Sequence, residues 1–137
     1  MLVDGRGVPL AVIAAGANEP DMTLLAETLG AVVVARPEPT PEAPQHLCAD
    51  KGYDYAVCWD DARAFGYTPH IRARGEERLE REQHSDFRPH RWVVEVSHAW
   101  LNRFRKLLVR FEELEDSYLA LVQFACAYVA FKRAALF

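Results

Sequence analysis

Glu95 sits in a stretch, Arg88 to Arg110, in which Arg91, Glu95, His98, Asn102 and Lys106 recur at three- and four-residue steps. On a helix that spacing places all five on one face. A single carboxylate then lies in a row of cationic and amide groups. Asp50 is the second acid of interest, because it ends the short run Gln45 to Ala49 and precedes Lys51-Gly52, a turn. Open α/β sheets place their sites at the carboxyl ends of strands. Two carboxylates, one from a strand end and one from a helix, can hold one or two Mg²⁺ ions, hard cations that prefer oxygen ligands. Two such metals, about 3.5–4 Å apart, clamp the attacking and leaving oxygens of an in-line phosphoryl displacement. Arg91 and Lys106 would then meet a phosphate backbone. Plainer roles stand beside these. Glu95 could be half of a surface pair with Arg91, worth about 0.2–0.5 kcal/mol in an isolated helix, and Asp50 could be a turn aspartate.

The elements that must position these acids follow from periodicity. Val93, Val96, Trp100, Phe104, Leu107 and Phe111 form an apolar stripe opposite the polar row, so residues 88–110 read as one long helix. Pro89 suits its first turn. Met1-Leu2-Val3 and Val8 to Ile13 flank Asp4-Gly5-Arg6-Gly7, a hairpin signal. Asn18 or Asp21 could cap a helix from about Pro20 to Leu29, and Ala31 to Ala35 is either a strand or the tail of that helix. Pro37 to Pro44 carries four prolines and reads as an extended, solvated connector. Gln45 to Ala49 is a strand, Asp54 can cap a helix reaching Phe65, and Gly66 stops it. Thr68 to Ala73 alternates as a half-exposed strand. Residues 74–88 are dense in charge and read as a loop, a solvated helix or both. A closing helix starts at Ser117, with Lys132 and Arg133 in its last turns. The order of elements predicts a mixed α/β sheet flanked by helices, ending in a long helical pair.

The 137 residues suit one domain or part of one, with ordinary globular composition and a formal charge of -4. Residues 1–50 hold only Arg6 and Arg36 as cations, so a basic face is concentrated later in the chain. Cys48, Cys58 and Cys126 make neither a CxxC pair nor a zinc pattern. The apolar run Tyr118 to Phe131 falls short of the roughly 20 residues a membrane span needs. The start of the chain carries no signal-peptide pattern. Trp92, Trp100 and Phe104 could stack on bases, though their helical spacing suits a core. His98 could touch DNA or a metal, or be an ordinary helix-surface histidine.

Ala49-Asp50-Lys51-Gly52-Tyr53-Asp54 resembles the block around the second acid of DDE transposases of bacterial insertion sequences. Arg91-Trp92-Val93-Val94-Glu95, followed by Ala99 to Arg105, resembles the block around their third acid, most nearly in the insertion-sequence "five" and "four" groups. Leu2 to Ala11 and Gly16-Ala17-Asn18 extend the likeness over nearly the whole chain. The resemblance implies a truncated ribonuclease H-like catalytic domain, with residues 1–36 as hairpin and helix, 37–44 as connector and 45–137 carrying both acid blocks. It implies Asp50 and Glu95 as catalytic ligands of Mg²⁺ or Mn²⁺. Arg91, Lys106, Arg103, Asn102 and Lys51 are the expected DNA contacts.

The implied activity is metal-dependent cleavage and strand transfer at transposon ends, in a cytoplasmic protein that joins the nucleoid when bound to DNA. Arg88 replaces the family's tyrosine, Asn102 its lysine, and Val96 a common arginine; Arg103 or Lys106 could substitute for that lysine. Asp4 matches the hairpin turn and Asp21 the helix start. The first acid and the DNA-binding helices are therefore expected upstream of Met1, and an incomplete, inactive chain follows. The alternatives are a non-catalytic DNA-binding or interaction remnant that pairs with an intact transposase or with itself, and an unrelated α/β protein with ion-paired helices.

Overall fold

The computed structural model describes residues 1–71 and 92–134, the side chain of Trp92 excepted. The chain divides into two compact units. Residues 1–17, 31–34 and 92–137 form the first, and residues 18–30 and 35–91 the second. Antiparallel and parallel pairing are both present, as the mixed α/β reading requires, but they are divided between two two-stranded sheets.

In the first unit, β1 (Leu2–Val3) and β2 (Pro9–Ala11) pair antiparallel. Asp4 holds the connecting loop. Its Oδ1 accepts the amides of Arg6 and Val8, each at 2.8 Å, and its own amide donates to the Val8 carbonyl at 2.9 Å. Gly7 takes a positive φ of 82°, where a side chain would be strained. A methyl group there would also stand 3.1 Å from Ser97 Oγ and 3.4 Å from the Val93 carbonyl. That close approach lets the fully buried Ser97 hydroxyl donate to the Gly7 carbonyl at 2.6 Å, fastening the hairpin to helix α3 (Trp92–Leu101).

The expected single helix over 88–110 is broken. α3 ends at Leu101, and α4 (Arg105–Leu108) follows after a turn at Asn102-Arg103. The last turn tightens first, with Arg103 and Phe104 amides bonding three residues back to Trp100 and Leu101. Phe104 then turns extended, with ψ at 103°, and its ring meets Tyr128 edge-on with 5.7 Å between centroids. That edge-on contact is made where the backbone leaves the helix period. The start of the expected helix, from Arg88 to Arg91, lies outside the described residues.

Helix α5 (Glu115–Ala134) begins two residues before the expected Ser117 and has Glu115 and Asp116 in its first turn, with Lys132 and Arg133 in its last. Ala125, Cys126 and Val129 join Leu101 in the core, with Met1, Val12, Trp100, Phe104, Leu107 and Val122 packed around them. Arg133 lies over the Trp100 ring at 4.9 Å and donates to the Arg6 carbonyl at 3.3 Å. One side chain thus joins α5, α3 and the hairpin loop.

The second unit is built on a crossover. β3 (Gln45–Ala49) and β4 (Tyr67–Ile71) pair parallel from Gln45↔Tyr67 to Ala49↔Ile71, with α2 (Ala56–Ala64) between them in sequence. Leu47 and Ile71 turn inward, while His46 and His70 stand exposed, ring nitrogens 2.8 Å apart. Cys58 and Ala62, four residues apart on α2, are fully buried and permit close packing. Gly66, with φ 78°, ends the helical segment as expected. The cap at Asp54 is not used: Tyr55 takes the N-cap position without a side-chain bond, and Asp54 accepts from the Trp59 indole instead.

Residues 20–30 begin as a 3-10 turn (Asp21–Leu24) before α1 (Leu25–Gly30), with Pro20 rather than Asn18 or Asp21 at the N-cap. Ala31 to Ala35 forms neither strand nor helix, and Val33 is 91% exposed. The proline-rich connector is pinned rather than free. Arg36 donates to the Phe65 carbonyl and stacks on Tyr67, and Gln45 donates to the Pro37 carbonyl. Residues 74–88 and the end of the expected strand at Arg72-Ala73 lie outside the described residues. Among the described residues, no helix is long and apolar enough to cross a membrane.

The Ser97–Gly7 bond is open to direct measurement. Ser97→Ala leaves a buried carbonyl without its donor and is expected to lower the stability of the first unit by about 1–3 kcal/mol. Gly7→Ala adds a left-handed backbone penalty and a close contact, and should cost at least as much. Urea denaturation of both variants checks the pair, and unchanged midpoints would remove the bond from the account of the fold.

Candidate functional site

Asp50 follows β3 directly and is exposed. It caps the 3-10 turn Lys51–Tyr53, with Oδ1 accepting the Gly52 amide at 2.7 Å. The turn residue and the strand-end acid are therefore the same group. The bond fixes the carboxylate's orientation through one oxygen. Lys51 beside it is exposed. Tyr53, in the same turn, is a residue that the spacing argument passed over. Burial pushes its phenol upward first, and the nearby carboxylates of Asp21 and Asp50 push it further. Asp21 belongs to the 3-10 turn that packs on this one. The sequence signal was the Lys-Gly-Tyr run after Asp50, but only the packing of the two turns brings Asp21 alongside.

Glu95 lies in the first turn of α3 and is exposed, where the helix dipole favours a carboxylate. It belongs to the first unit and Asp50 to the second. Arg91 lies outside the described residues. Asn102 and Arg103 are exposed in the turn after α3, and Lys106 is exposed on α4. Lys106 lies beyond the break and does not continue the face that carries Glu95 and His98, so the single polar row is shortened by that residue. The Asn102 backbone amide still donates to the His98 carbonyl at 2.9 Å, four residues back, and both residues line a cavity of about 360 Å³ in the first unit with Arg110, Glu115 and Tyr118. Trp100 and Phe104 belong to the core.

The donor chemistry is that of a hard cation. Asp50 and Glu95 each offer an exposed carboxylate, the ligand type that Mg²⁺ and Mn²⁺ prefer. Among the described residues, no group of three or more His, Cys, Asp or Glu is assembled to hold a metal. Asp4 uses Oδ1 to hold the amides of Arg6 and Val8 in the hairpin loop. Cys58 and Cys126 are buried, and burial raises both thiols, whereas Cys48 is exposed.

His98 carries a measurable consequence. Desolvation beside the cavity holds its imidazole below the ordinary value of 6.5. As pH falls through 6.5, the unfolded chain therefore takes up this proton before the folded one does, and stability is lost. The loss should begin near pH 6.5 and level off below the folded value. Thermal unfolding of wild type and His98→Gln between pH 8 and pH 5 should show a shallower decline for the variant. Parallel curves would exclude His98 as a contributor.

The family described as Transposase DDE domain matches residues 1–130. A protein of Burkholderia cepacia, assigned as a transposase for insertion sequence element IS402, is 35% identical over 133 residues. The alignment covers 94% of this chain and 60% of that relative, so the chain spans less than two thirds of the relative's length. No solved structure matches the chain. The two acid blocks and the hairpin all fall inside the matched span, and the chain belongs to the DDE transposase family of insertion sequences.

Proposed function

We propose that this chain carries two of the metal-binding acids of an insertion-element transposase, Asp50 and Glu95, within a ribonuclease H-like catalytic domain. In the whole protein they would serve DNA cleavage and strand transfer at the element's ends, in the cytoplasm and on the nucleoid. The observation that carries this reading is the position of Asp50, exposed at the carboxyl end of a parallel strand and oriented by the Gly52 amide. The crossover from β3 through α2 to β4 is compatible with the proposed fold. The family match supports the class of reaction.

Asp50 and Glu95 would be the ligands of Mg²⁺ or Mn²⁺, which would there activate the attacking oxygen and offset charge on the leaving one. The chain's own residues do the rest. The Gly52 amide, by holding one oxygen of Asp50, restricts how the other can point. Lys51, Arg103 and Lys106 offer exposed cations to phosphate and Asn102 an amide; Arg91 is assigned the same role from the family spacing. A third acid is required, and the resemblance sets Asp4 in the family's hairpin turn rather than at that position, in keeping with its bonds to the loop amides. The greater length of the IS402 relative supports a source outside these residues.

The chain alone is therefore expected to bind DNA weakly, with little sequence preference, and not to cut it. Lys51→Ala and Lys106→Ala should each flatten the slope of log affinity against log salt by about 0.9 on duplex DNA. Anisotropy titrations over a range of salt would read this, and unchanged slopes would move the DNA face elsewhere. In a protein of the relative's full length, end-containing DNA should be nicked in Mg²⁺ or Mn²⁺. Asp50→Asn and Glu95→Gln should each slow nicking by more than the roughly 100-fold that loss of an outer-shell partner costs a metal site. Full nicking by both variants would overturn the assignment, and nicking by the short chain would place a third acid within it.

A further inference from the structure

The outer face of the parallel pair β3 and β4 carries two imidazoles that have no part in the catalytic reading. Strand alternation puts His46 and Cys48 of β3 on one face with Thr68 and His70 of β4, and all four are exposed. Leu47 and Ile71 are buried on the other face. The register sets His46 opposite Thr68 and Cys48 opposite His70, so the two rings meet across a diagonal. His46 Nδ1 and His70 Nε2 stand 2.8 Å apart, with 4.9 Å between ring centroids and 46° between ring planes. One ring donates to the other there. In the open, such a bond competes with water and adds little stability. What the strand pairing does provide is two ring nitrogens held side by side.

That spacing suits a metal ion. Neutral imidazole is the commonest protein ligand for borderline divalent ions. Two nitrogens, each about 2.0–2.1 Å from one Zn²⁺, lie about 2.9 Å apart at a right angle and about 3.3 Å apart at the tetrahedral angle. The rings therefore need to separate by only about 0.1–0.5 Å. We propose that His46 and His70 together chelate a borderline divalent transition-metal ion such as Zn²⁺, as a clasp across β3 and β4. The ion takes the place of the hydrogen that one ring donates to the other. The donor ring then carries its proton on its outer nitrogen, so both rings stay neutral and no proton is released. Among the described residues no third His, Cys, Asp or Glu joins the pair, so water fills the remaining positions and the ion stays exchangeable.

The ligand type separates this ion from the one assigned to the acids. Mg²⁺ and Mn²⁺ favour carboxylate and water, whereas imidazole suits Zn²⁺, Ni²⁺ and Cu²⁺. Asp50 follows the same strand as His46, so the clasp bears on the element that presents the candidate ligand without using its carboxylate. Both rings reach one ion only when the strands are paired. The ion therefore binds the folded second unit in preference to the unfolded chain, and stabilises it. The proposal uses neither Asp50 nor Glu95, and its failure leaves the catalytic reading untouched.

Calorimetric titration of Zn²⁺ into the 137-residue chain tests it, with Mg²⁺ in excess to compete for carboxylates. Wild type should bind Zn²⁺. His46→Ala and His70→Ala should each weaken binding by at least about tenfold, the low end of what even an outer-shell partner costs a metal site. Because both side chains are exposed, the metal-free circular dichroism of the variants should match wild type, and Zn²⁺ should raise the unfolding midpoint of wild type alone. Cu²⁺ then gives a ligand count. Its electron paramagnetic resonance should show coupling to two nitrogens in wild type and in Cys48→Ser, and to one in each histidine variant. A wild-type chain that takes up no Zn²⁺ overturns the proposal. So does uptake indifferent to both histidine substitutions, or uptake lost with Cys48→Ser, which would assign the ion to the thiol.

Discussion

The first unit depends on one hydrogen bond made without solvent. Ser97 is fully buried and its hydroxyl donates to the Gly7 carbonyl, so the contact has no competing water to relax into. It requires glycine at position 7, both for the backbone conformation and for the space beside Ser97 and Val93. The requirement propagates outward. Once the loop is seated on α3, Asp4 Oδ1 satisfies two of the loop's amides. Arg133 then closes the loop from the far side, over Trp100.

The second unit uses its backbone differently. Its strand end presents a carboxylate, and the turn after it uses that carboxylate to cap itself through Gly52. Lys51 and Gly52 matter here for geometry as well as charge, since the amide must approach within 2.7 Å. The packing of this turn on the one that begins at Asp21 places two carboxylates near the Tyr53 phenol and raises it. Local turn chemistry therefore sets the electrostatic surroundings of the candidate ligand.

Much of this was legible in the sequence, for identifiable reasons. The strand Gln45 to Ala49 lies between the proline-rich connector and the Lys51-Gly52 turn, as expected, and the hairpin and Gly66 were marked by residues with few conformational alternatives. The break after Leu101 was not legible, because Phe104 fits the apolar period of a continuous helix. Only its ring contact with Tyr128, distant in sequence, shows why the backbone leaves that period. The N-caps at Pro20 and Tyr55 were misread for a related reason: nearby Asp and Asn residues were available, but the backbone put other residues at the boundary. As for the candidate acids, the strand-end position of Asp50 could be read from the sequence, and Glu95 could be placed on a helix. Asp50's bond to Gly52, and the neighbourhood of Asp21 and Tyr53, could not.

The separation in sequence between bonded partners has a consequence for the order of assembly. Ser97 and Gly7 are 90 residues apart, and Arg133 and Arg6 are 127 apart, whereas His46 and His70 across the parallel strands are only 24 apart. The entropy of closing a loop rises slowly with length, but contacts distant in sequence still slow the search for the native state. During synthesis the hairpin emerges well before α3 and α5 and must wait for them before its loop can be fastened. The crossover of β3, α2 and β4 has both its strands in hand much earlier. The hairpin, though made before that crossover, is therefore secured after it, with Leu2, Val3 and Leu10 short of their partners in the interval.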